Sequence, residues 1–117
     1  ILKLNETPGQ GGRNQHLVLW ALKKLLGRKS ALSCDFSFLS AGTDGEDGNV
    51  PVAGARFDAD LIAKLRGQAD PAELLAELDA GLRQCNSHHQ LTKLDCIVSV
   101  PPTRTNVCDL RVVLAGR

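Results

Sequence analysis

Asp44, Glu46 and Asp47 place three carboxylates within four residues of a glycine-rich segment, GTDGEDG, at residues 42–48. Carboxylates at this spacing can hold a magnesium ion, orient a hydroxyl group or accept the proton of an attacking alcohol. The spacing does not match an EF-hand, which requires acidic residues at alternate positions and a distant glutamate. The alternative is a solvated acidic turn in which Asp and Gly serve only the backbone.

A second glycine-rich segment, GQGGRNQ at residues 9–15, leads into a predicted helix. Glycine allows backbone N–H groups to approach an anion closely, and the start of a helix adds partial positive charge. Arg13 can bind a carboxylate or a phosphate through two hydrogen bonds. The segment is neither a GxGxxG nor a Walker motif, so a tight turn with Asn14 near the helix start is the alternative.

The third polar segment is PPTRTN at residues 101–106, and Asp109 follows shortly after it. Its hydroxyls, amide and guanidinium group can together hold a phosphate or a polyol. The alternative is a rigid Pro-Pro turn with ordinary polar side chains at its tip.

Histidine and cysteine add little further chemistry. The adjacent residues His88 and His89 do not face one way on a helix and form no Cys/His cluster with zinc spacing, so we predict solvated side chains. The cysteines show no CxxC pair and no zinc spacing, and no GxSxG elbow is present. We expect reduced cysteines, with Cys34 and Cys96 in or beside apolar segments that indicate buried strands.

Length and composition limit the class of protein. The chain has 117 residues, 43% hydrophobic and 3% aromatic, which suits one domain with leucine-rich helices packed on a small sheet. The formal charge is +1 without a basic stripe, so we expect no nucleic-acid partner. No apolar run approaches the ~18 residues of a membrane helix and no signal peptide is visible, so we expect a cytoplasmic protein without a membrane partner.

Hydrophobic periodicity predicts the helices. The first begins at Asn14, with an apolar face made of Leu17, Trp20, Ala21 and Leu25 and an adjoining flank made of Leu22 and Leu26. Gly81 is a candidate interruption of the helix that opens at Asp70-Pro71. The predicted helical segments are 14–26, 59–66, one that opens at Asp70-Pro71, and a brief turn at 50–55. Residues 85–91 are ambiguous.

Short apolar runs bounded by turn residues predict the strands, which lie at 34–41, 94–100 and 107–115, with a strand end at 1–4. Strands and helices alternate along the chain, as in an α/β fold. We predict a small mixed sheet of about four strands flanked by helices, with ligand loops at the strand ends. If the strands are parallel, the three polar segments converge on one crevice.

Taken in order, GGRNQ, SAGTDGEDG and TNVCDLRVVL resemble the MOFRL domain. That domain is the carboxy-terminal part of glycerate kinases that form 2-phosphoglycerate, and some related proteins carry the label hydroxypyruvate reductase. The resemblance extends from residue 9 to residue 114 and keeps the order and spacing of three separated motifs.

The resemblance implies a two-domain kinase that transfers the γ-phosphoryl group of ATP to D-glycerate with Mg²⁺. Residues 1–117 would form its carboxy-terminal domain, after a larger nucleotide-binding α/β domain of the same polypeptide. A chain that begins with Ile1 and contains no methionine fits such a fragment. We expect a small hydroxy-acid substrate, ATP and Mg²⁺ in the parent enzyme, no tightly bound cofactor here, and no activity of the domain alone. The oligomeric state is left open.

The resemblance also selects the residues expected to line the cleft. Asp44 and Asp47 are the expected catalytic carboxylates, and Asp44 is the expected magnesium ligand. The expected substrate- and phosphate-binding residues are Gly11, Gly12, Arg13, Asn14, Thr43, Thr103, Arg104, Thr105, Asn106 and Asp109.

Several positions depart from the usual family pattern, four of them in or next to the three motifs. Position 16 is His where the family usually reads GGRNQE, Pro101 and Arg104 replace glycines, and Cys108 replaces a polar residue. The changes at His16, Pro101 and Arg104 support a second hypothesis, a structural or interaction module that retains the MOFRL fold without catalysis. A reductase has less support, because no dinucleotide-binding fingerprint is present.

Overall fold

The computed structural model describes residues 11–28, 35–48, 50–67, 70–100 and 109–116. The predicted strand end at 1–4 and the polar segment 101–106 lie outside these residues. Within them the chain forms helices and strands in alternation. In chain order these are α1 (Arg13–Leu26), β1 (Asp35–Gly42), β2 (Gly54–Phe57), α2 (Ala59–Arg66), α3 (Pro71–Arg83), α4 (Ser87–Lys93), β3 (Ile97–Val98) and β4 (Asp109–Gly116).

The strands form one sheet in the order β3-β2-β1-β4. Its three pairings among the described strands, β2 with β3, β1 with β2 and β1 with β4, are all antiparallel. The α/β fold of about four strands with flanking helices is therefore confirmed, but the sheet is antiparallel where a mixed sheet was expected. One reason is the connection 43–53 between β1 and β2, which is too short for the crossover that a parallel pair needs.

The hydrophobic core lies between one face of the sheet and the helices. Burial alternates along the second half of β1, where Phe38 and Ser40 are buried, as expected for a strand with one covered face. The ring of Phe57 on β2 lies 6.2 Å from that of Phe36 and 6.0 Å from that of Phe38. Each helix adds fully buried leucines to this core: Leu19, Leu22, Leu65, Leu78 and Leu91.

The buried face of α1 agrees with the predicted one in part. Leu17, Ala21 and Leu25 are half-buried and pack against the core. Val18, Leu19 and Leu22 are buried, whereas Trp20 is 48% exposed. The Nζ atom of Lys24 lies 5.7 Å from the centre of the Trp20 ring, a cation–π contact on the outer surface. Apolar residues at 17–22 cover most of the helix circumference, so spacing alone does not separate its two sides.

The helical turn predicted at 50–55 is wrong, because β2 begins inside it at Gly54. A Cβ atom at Gly54 would lie 2.0 Å from the carbonyl oxygen of Ser40 on β1. Glycine therefore permits a close approach of two strands, at a position where its propensity argues against a strand. The strand predicted at 94–100 is also shorter than expected, because only β3 forms there.

The starts of α2 and α3 agree with the prediction. Asp58 and Asp70 each accept a backbone N–H in the first turn, at 2.9 and 3.1 Å, and Pro71 opens α3. Gly81 does not interrupt α3. A Cβ atom there would lie 2.6 Å from the Cγ atom of Gln90 on α4, so glycine lets these two helices pack closely. Most of the ambiguous segment 85–91 belongs to α4.

The described cysteines are free thiols, Cys96 buried and Cys85 half-buried. Cys34 and Cys108 lie outside the described residues. No helix in the described ranges is both long enough and apolar enough to cross a membrane.

Candidate functional site

The first turn of α1 is capped by a carboxylate from a distant loop. Gly12 occupies the N-cap position, and glycine has no side chain that could cap the helix. Asp47 supplies the acceptor instead: its Oδ1 accepts from the backbone N of Asn14 at 3.1 Å, and its Oδ2 from that of Gln15 at 2.8 Å. The side-chain amides of Asn14 and Gln15 add bonds of 3.2 and 3.0 Å. Asp47 is only 3% exposed, so these bonds stabilise a buried charge.

The two glycine-rich loops also touch backbone to backbone. A Cβ atom at Gly12 would lie 2.4 Å from the N atom of Gly48 and 2.5 Å from the Oδ1 atom of Asp47. A Cβ atom at Gly48 would lie 2.7 Å from the Cα atom of Gly12, and Gly48 has a φ of +66°, which favours glycine. These two glycines are therefore required for contact between the loops.

Asp109, at the start of β4, joins the start of α1 from another element. Arg13 donates to both carboxylate oxygens, from Nε to Oδ2 and from Nη2 to Oδ1 at 3.0 Å, and Asn14 donates from Nδ2 to Oδ1 at 3.0 Å. The Nη2 atom of Arg111 lies 3.9 Å from Oδ2. The hydrogen bonds from Arg13 and Asn14 hold the pKa of Asp109 below its usual range, and the Asp109 carboxylate raises the pKa of Arg13.

Asn14 links the two carboxylates to the sheet. Its Nδ2 atom donates to both Asp47 and Asp109, and its Oδ1 atom accepts from the Oγ atom of Ser40 at 2.6 Å. Asn14 and Ser40 are 1% and 0% exposed. Among the described residues, no buried side-chain polar atom lacks a hydrogen-bond partner. A buried network that is fully satisfied fixes the geometry of the groups around it.

A polar cavity of about 270 Å³ opens beside this network. Asp44 is half-buried at the cavity, and its Oδ1 atom accepts from the backbone N of Glu46 at 3.0 Å, which holds the turn. The Arg13 side chain is 73% exposed and lines the same cavity. The complete lining is Arg13, Gly42, Asp44, Glu46, Asp47, Gly48 and Asp109. Carboxylates and a guanidinium group around one cavity can bind a hydroxyl, a cation or an anion.

Arg13 also lines a second and larger cavity, of about 470 Å³. The remaining residues around it combine glycine backbone, apolar surface and a further cation: Gly11, Gly12, His16, Leu17, Trp20, Cys85, Ser87 and Arg111. One exposed guanidinium group therefore lies between a polar and a more apolar space.

A profile of the MOFRL family matches residues 1–109. The chain belongs to the MOFRL family. Its relatives include the D-glycerate 2-kinase of Thermotoga maritima, 36% identical over 107 residues that cover 91% of this chain and 23% of that protein. They also include the glycerate kinase of Mus musculus, 37% identical over 111 residues that cover 91% of this chain and 20% of that protein.

The fold of this MOFRL domain matches a crystal structure of the glycerate kinase from Thermotoga maritima. The TM-score is 0.72 with 34% identity, and the match covers 97% of this chain and 24% of that one. The chain thus spans roughly a quarter or less of the length of the relatives it matches. The structural match therefore supports a domain of a glycerate-kinase-related protein.

Most of the predicted site residues of this MOFRL domain lie near one another. The segment 11–15, the loop 42–48 and Asp109 meet around the start of α1, although the sheet is antiparallel. Thr43 is half-buried in the turn after β1. Thr103, Arg104, Thr105 and Asn106, together with Pro101 and Cys108, lie outside the described residues.

Few of the described carboxylates in the MOFRL domain are available to bind a magnesium ion. In the described part of the chain, no group of three or more His, Cys, Asp or Glu side chains is arranged to hold a metal ion. Both oxygens of Asp47 already accept hydrogen bonds. Asp44, the ligand expected from the sequence, and Glu46 both line the polar cavity. Mg²⁺ usually combines one or two protein carboxylates with water and substrate phosphates.

The sequence did not predict Ser40 or His88 as members of the network, whereas Gln15 lies in the GGRNQ segment that it singled out. Ser40 and Gln15 are each 0% exposed. His88 is half-buried, and its Nδ1 atom lies 2.8 Å from the Oε1 atom of Gln15. The solvated pair predicted for His88 and His89 is therefore correct only for the exposed His89. A polar residue among the apolar residues of β1, as at Ser40, was the one available signal.

Proposed function

We propose that this chain is the carboxy-terminal, substrate-facing domain of an ATP-dependent kinase that phosphorylates D-glycerate to 2-phosphoglycerate. The observation that carries the proposal is the polar cavity where Asp44, Arg13 and Asp109 meet. The relatives named glycerate kinase support the reaction class. Phosphoryl transfer depends mainly on positioning and charge neutralisation, which such a cavity supplies.

Arg13 is the proposed anion-binding group. Its Nε and Nη2 atoms bind Asp109, and its side chain is 73% exposed. A guanidinium group has five N–H donors, so Arg13 can bind Asp109 and a substrate carboxylate or phosphate at the same time. Asp109 would hold the guanidinium plane in place, and this fixed orientation favours a two-bond contact with the ligand.

Asp44 is the proposed catalytic carboxylate. In this role it orients the substrate hydroxyl and accepts its proton as the phosphoryl group is transferred. Mg²⁺ with ATP would neutralise phosphate charge, and Asp44 is the carboxylate with which this domain would bind the ion. Asp47 was also predicted as catalytic. Because its oxygens bind the start of α1, we assign it to positioning Arg13 and Asn14.

The rest of the proposed site extends beyond the described residues. Thr43 would line the cleft beside Asp44, while Thr103, Arg104, Thr105 and Asn106 would complete the substrate pocket. The chain matches roughly a quarter or less of its kinase relatives, so ATP would bind mainly to the remaining polypeptide. We therefore propose that residues 1–117 are inactive alone.

The test is an ATP-coupled assay of the full-length protein with D-glycerate. The variant Asp44→Asn should lose about 100-fold or more in kcat, because general-base catalysis contributes roughly 10²–10⁴. Asp60→Asn is the matched control, because it makes the same chemical change at an exposed position of α2 that lines neither cavity; its kcat should change less than about threefold. Unchanged turnover in Asp44→Asn would remove Asp44 from the mechanism.

A non-catalytic module that retains the MOFRL fold is the second candidate. It is favoured by the engagement of Asp47 and Asp109 in bonds within the domain. On this hypothesis the full-length protein phosphorylates no hydroxy acid when ATP and Mg²⁺ are present. The same assay, extended to a panel of hydroxy acids, separates the two candidates.

A further inference from the structure

The first turn of α4 packs against the residues at the start of α1. A Cβ atom at Gly11 would lie 2.3 Å from the Oγ atom of Ser87 and 3.0 Å from the backbone N of His88. The Nδ1 atom of His88 lies 2.8 Å from the Oε1 atom of Gln15. His88 does not line the polar cavity, and its contact with Gln15 connects it to Asp47, which does.

The hydrogen-bond pattern determines which atom of Gln15 faces His88. The backbone N and the side-chain Nε2 of Gln15 both donate to Oδ2 of Asp47, at 2.8 and 3.0 Å. A flipped amide would place Oε1 against the carboxylate and lose one of these bonds. Oε1 therefore faces His88, and because an amide oxygen only accepts, the Nδ1 atom of His88 must carry a proton.

Gln15 is buried, so solvent cannot replace the Nδ1–H group of His88 as its hydrogen-bond donor. Its side chain is 0% exposed, so without His88 its Oε1 atom would be a buried acceptor with no partner. Gln15 would then have to rotate to regain a donor, and its Nε2 atom would leave Asp47. The carboxylate that caps α1 and holds the loop 42–48 would lose one of its fixed partners.

We propose that His88 is a positioning residue: its Nδ1–H group fixes the Gln15 amide, which in turn fixes Asp47 and the loop that carries Asp44. The effect on turnover rests on the proposed kinase function. The proton on Nδ1 of His88 and the ordering of the first turn of α1 do not depend on the kinase function.

The test compares three variants of the full-length protein. His88→Phe keeps a ring of similar size and removes the donor. His88→Asn places an amide nitrogen near the position of Nδ1 and keeps the donor. His89→Phe is the matched control, because it makes the same change at the adjacent exposed position.

The first measurement is ¹⁵N NMR of the histidine-labelled wild type at about pH 8, where an ordinary histidine is neutral. We expect the His88 proton on Nδ1, and a proton on Nε2 alone would overturn the inference. The second is hydrogen exchange of the backbone amides of Asn14 and Gln15. Exchange should quicken about tenfold or more in His88→Phe and stay near wild type in His88→Asn and His89→Phe, as expected when a buried acceptor loses its donor.

Turnover of D-glycerate supplies the third measurement. We expect kcat of His88→Phe to fall about tenfold with a smaller change in KM, and His88→Asn to recover to within about threefold. Equal behaviour of His88→Phe and His89→Phe in exchange and turnover would overturn the inference. If the wild type has no kinase activity, the proposed function fails, and the NMR and exchange results still decide the role of His88. If His88→Phe does not fold, the wild-type proton position and the exchange in His88→Asn decide it.

Discussion

Asp47 holds the start of α1 through Gln15, whose backbone and side-chain nitrogens both lie within 3.0 Å of the same carboxylate oxygen. The two residues are 32 positions apart in the chain. A helix usually receives its cap from the residue just before it, but here Gly12 occupies that position. The contact therefore couples the formation of α1 to the loop that follows β1.

The first prediction concerns this cap. Asp47→Asn keeps the shape of the side chain but replaces one acceptor oxygen with a donor that faces N–H groups. We expect the free energy of unfolding to fall by about 2–4 kcal/mol, from the lost cap and the strained buried bonds. Urea denaturation measures the change. Glu46→Gln, in the same loop but exposed, should change it by less than about 0.5 kcal/mol. Equal stability of the two variants would contradict the capping role.

The second prediction concerns the contact between the glycine loops. Gly12→Ala would place a Cβ atom 2.4 Å from the N atom of Gly48, so the loops must separate. We expect a loss of roughly 2–4 kcal/mol in thermal or urea unfolding, as for other overpacked sites. Gly67→Ala is the control, because its Cβ atom would meet nothing closer than 3.6 Å and its φ is −83°. A loss at Gly67 as large as that at Gly12 would contradict the explanation.

The third prediction concerns pH and Asp109. Hydrogen bonds from Arg13 and Asn14 lower the pKa of Asp109 in the folded state, so its charged form favours folding. The stabilisation is complete above the usual aspartate pKa and is lost as pH falls through the lower folded value. The difference in unfolding free energy between wild type and Asp109→Asn should therefore be constant near neutrality and shrink below about pH 4.

Arg13→Gln provides the control for that measurement. It removes the largest cause of the low pKa of Asp109, so the pH dependence of the Asp109→Asn effect should become smaller in this background. Arg13 is largely exposed, so the coupling should also weaken in high salt. An effect of Asp109→Asn that does not depend on pH in either background would refute this account.

The fourth prediction concerns the two described thiols. Burial raises the pKa of Cys96 to about 11 from an ordinary 9.0. Folding therefore favours the neutral thiol, and its contribution to stability is complete below about pH 9 and lost as pH rises from 9 to 11. Cys96→Ala should reduce this alkaline loss of stability. At neutral pH, mass spectrometry after treatment with a thiol reagent should find Cys85 modified before Cys96. Faster modification of Cys96 would contradict its burial.

The sequence predicted which residues meet at the site better than it predicted why those residue types are needed there. The residues of GGRNQ and GTDGEDG were expected in one place, and those that are described lie there. The glycines of the first segment were explained by the approach of an anion, with a tight turn as the alternative, whereas Gly12 contacts Gly48 of the other loop. A sequence shows that a position needs glycine but does not show whether a ligand or another loop lies against it.

Elements that depend on distant contacts were the hardest to predict. β2 was missed because Gly54 is disfavoured in strands until the backbone of Ser40 lies against it. Trp20 was assigned to the core because apolar residues surround much of α1, and only packing decides which side is covered. His88 was taken for a surface residue because its partner, Gln15, is 73 positions away. The helix starts at Asp58 and Asp70 were predicted because their signals are local.

The shared network around Asp47 divides the site into parts that tolerate change differently. Asn14 and Gln15 both donate hydrogen bonds to Asp47, so a substitution at one of the three would need compensating changes in the other loop to keep the fold. Glu46 is exposed, and Asp44 is half-buried at the edge of the cavity. An attempt to change what this cavity binds should therefore begin at Glu46, keep Asp44 and Arg13 in their proposed roles, and leave Asp47 and its two amide partners unchanged.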